Sequence, residues 1–172
     1  MKKYFSLIFS FAVMAGVVLA DQLTKLWTVS AFPNPDEGGG VVPYRFIDGI
    51  LHFTRVHNRG AGMGILEDHR WVFMSVSCVA IALIFAYLIL KRPEDKLFLS
   101  SLALIAGGGI GNMIDRFALG YVVDMINVEL IDFYVFNVAD SAVCIGCGLM
   151  ILYMVLDEIR EYKNKKAEKP EA

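Results

Sequence analysis

The chain has 172 residues, of which 56% are hydrophobic, 12% aromatic and 20% charged. That length accommodates one domain of ordinary size and excludes separate cofactor and substrate modules, while the apolar excess, with a mean hydropathy of +0.54, points to a membrane. The net charge of -2 lacks the basic surplus that draws a protein to a phosphate backbone, so nucleic acid is excluded as a partner.

In chain order, uncharged runs extend from Tyr4 to Ala20, from Trp71 to Leu90 and from Leu97 to Ile114, about 17, 20 and 18 residues, each long enough to cross a bilayer. A fourth run, from Phe133 to Leu156, is about 24 residues long and is interrupted near its start by Asp140. The first run taken alone also suits a secretory signal, since Lys2 and Lys3 precede it and Val18-Leu19-Ala20 fits a cleavage site. Three further spans and the charged pair Asp21 and Lys25 behind it favour a retained helix. Spans are therefore predicted over about 4–24, 71–90, 97–114 and 137–156, within one integral-membrane domain covering 1–172.

Basic residues orient these spans, because Lys and Arg are retained in short cytoplasmic loops. Ten of them (Lys2, Lys3, Lys91, Arg92, Lys96, Arg160, Lys163, Lys165, Lys166 and Lys169) fall on one side, against six (Lys25, Arg45, Arg55, Arg59, Arg70 and Arg116) on the other. Both termini are expected in the cytoplasm, with segments 28–70 and 115–136 outside and the tail 157–172 inside. The first outer segment opens with Pro33-Asn34-Pro35-Asp36-Glu37-Gly38-Gly39-Gly40, which cannot continue a helix. From Val41 to Ile65 aromatic and β-branched residues mix with polar ones, as in short strands, with breaks at Asp48-Gly49 and Asn58-Arg59-Gly60. Too short for a core of its own, this piece is expected to lie on the membrane surface against the helix ends. The mixed-charge tail from Asp157 reads as a solvated helix end fraying into disorder. The fold class is thus an all-α membrane protein with four transmembrane helices and a small β-rich segment between the first and second.

The carboxylates carry the chemistry. Asp115, Asp124, Asp132 and Asp140 crowd into the stretch joining the third and fourth spans. Two carboxyl groups brought close cannot both ionise easily, so a pair can act as general acid and general base. Asp140, in the first turn of the last span, and Asp124, set among apolar residues in Gly120-Tyr121-Val122-Val123-Asp124-Met125-Ile126, are the candidate pair. Asp115 directly precedes Arg116, and a close guanidinium is expected to hold it ionised in a structural pair. Asp21 and Lys25 stand four apart on one helix face, the spacing of an interfacial ion pair. Asn58 and Asn137 lie beside the turns nearest the membrane, where amides can bind extended backbone.

Other motifs read as structural. Gly107-Gly108-Gly109-Ile110-Gly111 lies inside an apolar span, without the lysine or preceding strand of a phosphate loop, and is assigned to close helix packing. Cys78, Cys144 and Cys147 all lie in apolar stretches; they indicate neither a disulfide framework nor a redox motif and are predicted to be buried packing residues. His52, His57 and His69 lack metal-ligand spacing, so no metal or other cofactor is expected.

Asp21-Gln22-Leu23-Thr24-Lys25, Asn58-Arg59-Gly60-Ala61, Gly111-Asn112-Met113-Ile114-Asp115-Arg116, Gly120-Tyr121-Val122-Val123-Asp124 and Phe136-Asn137-Val138-Ala139-Asp140 resemble, in order, the motif blocks of the lipoprotein signal peptidase (signal peptidase II) family. The resemblance runs from the first span to the last. It implies a bacterial inner-membrane aspartic peptidase that cuts prolipoproteins before a lipid-modified cysteine, with prolipoproteins and membrane lipids as its partners and a monomer as its working form. It also implies that Asp124 and Asp140 are the catalytic dyad, supported by Asp21, Lys25, Asn58, Gly60, Asn112, Asp115, Arg116, Asn137 and Ala139. Gly62-Met63 departs from the family's pattern, which often has a small residue followed by Phe. A proton-coupled transporter would also hold intramembrane acids, but with an internal repeat and acids near the midplane; an assembly factor would need no dyad.

Overall fold

A computed structural model describes residues 2–37, 43–60, 70–131 and 133–167. Four long helices, α1 (Lys2–Ala31), α2 (Arg70–Lys91), α3 (Lys96–Ala118) and α4 (Val138–Ala167), are each long and apolar enough to cross a membrane. Three strands, β1 (Tyr44–Ile47), β2 (Leu51–Asn58) and β3 (Val122–Val128), form an antiparallel sheet in that order.

The helices end where local chemistry ends them. Before the Pro33–Pro35 stretch, α1 stops at Ala31 and a single 3₁₀ turn, Pro35–Glu37, follows. Asp95 caps α3, accepting from the N–H groups of Leu97 and Phe98. At α4, Asn137 and Asp140 form a reciprocal cap: the Asn137 side chain accepts from the Asp140 N–H at 2.9 Å, and the Asp140 carboxylate accepts from the Asn137 N–H at 3.1 Å.

Three boundaries differ from the sequence reading. Both α1 and α3 continue past the predicted ends of their spans, through Lys25 and through Arg116, because the charged residues there meet partners on neighbouring helices and do not need to leave the membrane. The tail helix persists to Ala167 rather than fraying at Asp157. The sheet also draws its third strand from the α3–α4 connection, so the β-structure is not confined to the segment between the first two helices.

Packing is inverted relative to a water-soluble protein. Leu26, Leu90 and Phe117 are 66%, 77% and 78% exposed, whereas Asp21, Thr28 and Asn137 are fully buried. Lipid solvates apolar side chains as well as protein does, so the interior is left to small and polar groups. A modest apolar core of Met14, Leu88, Leu99, Leu102, Ala103 and Ala106 joins α1, α2 and α3. The three cysteines are exposed rather than buried, contrary to the sequence expectation, and Cys144 among them faces the cavity described below. A helix that is apolar all round does not reveal which face meets lipid.

The glycine run packs as expected. A Cβ on Gly108 would collide with the Ala139 carbonyl oxygen of α4, and one on Gly111 would lie 2.6 Å from the Asp21 carboxylate of α1. Gly148, by contrast, faces open space. Gly108→Ala is expected to lower detergent stability by about 1–3 kcal/mol through overpacking, with Gly148→Ala close to neutral; thermal unfolding of the two purified variants checks this.

Candidate active site

The site forms where α1, α3, α4 and β3 converge. β3 is held on both sides: β2 pairs along one edge, and Phe136 bridges the other through Ile126, with hydrogen bonds of 2.8 and 3.0 Å. This brings Asn137 and the start of α4 beside Asp124.

Asn58 reaches the same point because β2 is irregular. Phe53 pairs with Ile126 and Val56 with Asp124, so Thr54 and Arg55 together oppose Met125. That extra residue reverses the alternation and puts Asn58 on the face of Asp124, whose Oδ2 accepts from Asn58 Nδ2 at 2.9 Å. Arg55, at the bulge, donates to the carbonyls of Val29 and Phe32 and anchors the sheet on the end of α1.

Each oxygen of the two central carboxylates has an N–H partner. Asp124 Oδ1 accepts from Asn137 Nδ2 at 2.6 Å; Asp140 Oδ1 accepts from Asn112 Nδ2 at 2.7 Å and its Oδ2 from the Asn137 backbone. Asn137 therefore touches both acids. Asp124 is 2% exposed, and burial, reinforced by the charge of Asp140, raises its carboxyl from 3.8 to about 7.

Behind the acids lies a buried ion cluster. Lys25 Nζ is 2.8 Å from Asp21 Oδ2, 3.1 Å from Asp115 Oδ2 and 3.1 Å from Asn112 Oδ1. Asp21 also accepts from the Ala139 N–H at 2.9 Å, and Asp115 from the Val123 N–H at 3.0 Å, so the cluster fixes the first turn of α4 and the start of β3. Gln22 Nε2 contacts Asp21, Asp115 and the Gly111 carbonyl. Asp115 is thus partnered by Lys25 and not by Arg116, which corrects the sequence reading. Neighbouring residues on a helix point about 100° apart, so adjacency in sequence opposes pairing. Arg116 instead donates to the Gly60 carbonyl at 3.3 Å, lies 5.5 Å from the Phe73 ring and faces the cavity.

That cavity, of about 540 Å³, has Asp124 and Asp140 in its wall with Asn58, Asn112 and Arg116. Its remaining lining is mostly apolar and includes Phe133, Phe136, Cys144 and Ile145.

All eleven residues singled out in the sequence meet in or directly behind this wall. Asp132 and Gly62-Met63 lie outside the described residues. Sequence reasoning missed Gln22, although it stands inside the first motif, and the aromatic segment from Phe133 to Phe136, whose apolar character was counted only as the start of the fourth uncharged run. His57 faces away from the dyad, pairing with Asp36 at 2.8 Å and stacking on Tyr121. Among the described residues no cluster of His, Cys, Asp and Glu is placed to hold a metal.

Comparison with known proteins decides the family. Residues 13–156 match the family model described as signal peptidase (SPase) II. The chain belongs to the signal peptidase II family. A lipoprotein signal peptidase of Halalkalibacterium halodurans is 39% identical over 159 residues, covering 91% of this chain and 98% of the relative. One from Lactobacillus johnsonii is 40% identical over 139 residues, covering 81% and 86%. Two solved structures described as bacterial membrane enzymes superpose with TM-scores of 0.79 and 0.75 at 26% and 28% identity. The first covers 95% of this chain and 93% of its own, the second 85% and 92%. Family membership makes the chain a peptidase, and the four apolar helices make it a multi-pass membrane protein.

The raised Asp124 carboxyl has a consequence for stability. The unfolded chain loses this proton near 3.8 and the folded chain near 7, so folding takes up a proton between those values and stability falls as pH rises through that window. Thermal unfolding in detergent is expected to show this slope between about pH 4 and 7, and Asp124→Asn, which carries no such proton, is expected to flatten it.

Proposed function

We propose that this chain is an aspartic endopeptidase of the bacterial inner membrane that removes signal peptides from prolipoproteins, cutting on the N-terminal side of a diacylglyceryl-modified cysteine. The observation that carries the reading is the pair Asp124 and Asp140, joined by Asn137 in the wall of one largely apolar cavity. The names of the relatives, lipoprotein signal peptidases, supply the substrate class.

The environments divide the roles. Asp124, raised to about 7, keeps its proton in about half of the molecules at neutral pH and serves as the acid. Asp140 stands at the α4 N-terminus, where the helix dipole favours negative charge, and serves as the base. Asp140 takes a proton from water as its oxygen adds to the scissile carbonyl, while Asp124 protonates the carbonyl oxygen. Collapse of the resulting diol breaks the C–N bond: Asp140 returns its proton to the leaving nitrogen and Asp124 recovers one from a diol hydroxyl. Arg116 faces the same cavity as a donor for a substrate carbonyl or a lipid phosphate.

The dyad lies at the ends of apolar helices, so the scissile bond must reach it at headgroup depth. Acyl chains on the substrate cysteine would remain in the hydrocarbon, contributing about 0.8 kcal/mol per buried CH₂ and holding the next peptide bond at that level. The basic-residue asymmetry supports an orientation with this end of the bundle outside and both termini in the cytoplasm.

Asp124→Asn and Asp140→Asn are each expected to abolish cleavage of a lipidated prolipoprotein by folded, inserted protein, since an amide can neither take nor supply the proton; near-normal turnover in either variant refutes the dyad. The parent's kcat should fall as pH rises through about 7, as Asp124 loses its proton. A matched unlipidated substrate should show a much lower kcat/KM, and equal values for the two would make the lipid irrelevant. For orientation, a cysteine replacing the exposed Asp48 in a cysteine-free background should react with an impermeant reagent applied from outside; labelling only after lysis would invert the topology.

A further inference from the structure

Lys25 makes no contact with the cavity, yet its ammonium donates to a side chain that does. We infer that Lys25 is a positioning residue for Asp140, acting through the side-chain amide of Asn112, and this inference rests on the proposed role of Asp140.

An amide side chain has an acceptor end and a donor end of nearly equal size, and only its neighbours decide which way it points. Asn112 Oδ1 accepts from Lys25 Nζ at 3.1 Å and from Asn137 Nδ2 at 3.0 Å, leaving Nδ2 directed at Asp140 Oδ1 at 2.7 Å. Turning the amide over would set its NH₂ against an ammonium and a second NH₂, and its oxygen against a carboxylate. Lys25 enforces the productive orientation because it has only donors to offer.

Its own position is fixed equally firmly. Three acceptors, on Asp21, Asp115 and Asn112, match its three N–H bonds, and it is 3% exposed. The order passes onward: Asn137, with one N–H satisfied by Asn112 Oδ1, directs the same NH₂ to Asp124 Oδ1 and its oxygen to the Asp140 N–H. One cation thus sets two amides, and these two amides hold both acids. The Asp21–Lys25 spacing alone suggests a helix-surface ion pair, a role that would need neither complete burial nor the contact with Asn112.

A double-mutant cycle tests this with the full-length enzyme in detergent and a lipidated prolipoprotein, using single-turnover rates normalised to folded protein and followed long enough to resolve slow variants. Lys25→Met is expected to lower kcat about 10²-fold with KM nearly unchanged, the size of a small misplacement of a reacting group. In an Asn112→Ala background the same substitution is expected to lower kcat less than about twofold, because the intermediary is already gone. Losses that multiply, or a Lys25→Met effect confined to thermal stability or KM, would overturn the inference. If Lys25→Met does not fold because two buried acids lose their cation, the cycle is run with Asp21→Asn present in every variant, which removes a matching negative charge. Inactive Asp124→Asn and Asp140→Asn enzymes alongside a multiplicative cycle would dismiss only the role of Lys25; active ones would dismiss the dyad itself.

Discussion

A single ammonium group, buried where three chain segments meet, is the constraint on which the rest of this structure depends. Lys25 is on α1, its acceptors Asn112 and Asp115 are on α3, and its partner Asp21 takes the N–H of Ala139 at the start of α4. Asp115 in turn takes the N–H of Val123 at the start of β3. In a medium that offers no water, each of these groups must find its partner within the protein or carry a large desolvation penalty. Hydrophobic attraction cannot bring the helices together, since lipid serves apolar surfaces equally well. The polar cluster and the glycine contacts of Gly108 and Gly111 supply what a soluble protein draws from its core.

That arrangement explains why the sequence was informative about some features and silent about others. Spans were legible because run length is a direct consequence of bilayer thickness, and Asp124 and Asp140 stood out as a candidate pair because acids flanked by apolar residues are costly unless they have a task. The resemblance to the signal peptidase II family added residues such as Asn112 and Ala139, whose side chains say little by themselves. Asp115 was misassigned because its true partner lies 90 positions away on another helix, and proximity in sequence favoured Arg116. The third strand was missed for a similar reason: Val122–Val128 becomes a strand by pairing with β2, across the whole of α2 and α3. Cysteine exposure was misread because lipid-facing and protein-facing positions have the same composition.

Asn137 illustrates how one residue serves structure and chemistry together. Its side-chain oxygen and backbone N–H complete the reciprocal cap of α4, and the same side chain holds Asp124. Capping normally contributes about 1 kcal/mol to a helix. Here the cap partner is one of the two acids, so the geometry of the helix start and that of the dyad are a single quantity. Ala139, two residues along, is fully buried and has its backbone N–H committed to Asp21, with its side chain near Gly111.

The irregular pairing of β2 makes the site depend on how one short stretch of chain meets its neighbouring strand. Loops elsewhere can gain or lose residues at little expense, since closure entropy grows slowly with length. Between Phe53 and Val56, however, the same residues paired as a regular ladder, without the bulge, would turn Asn58 to the opposite face and withdraw its amide from Asp124. With the spacing present from Phe53 to Asn58, the bulge therefore sets the parity. A chain that paired there without the bulge would keep its helices, its sheet and both of its acids, and would leave Asp124 with Asn137 as its one side-chain amide partner.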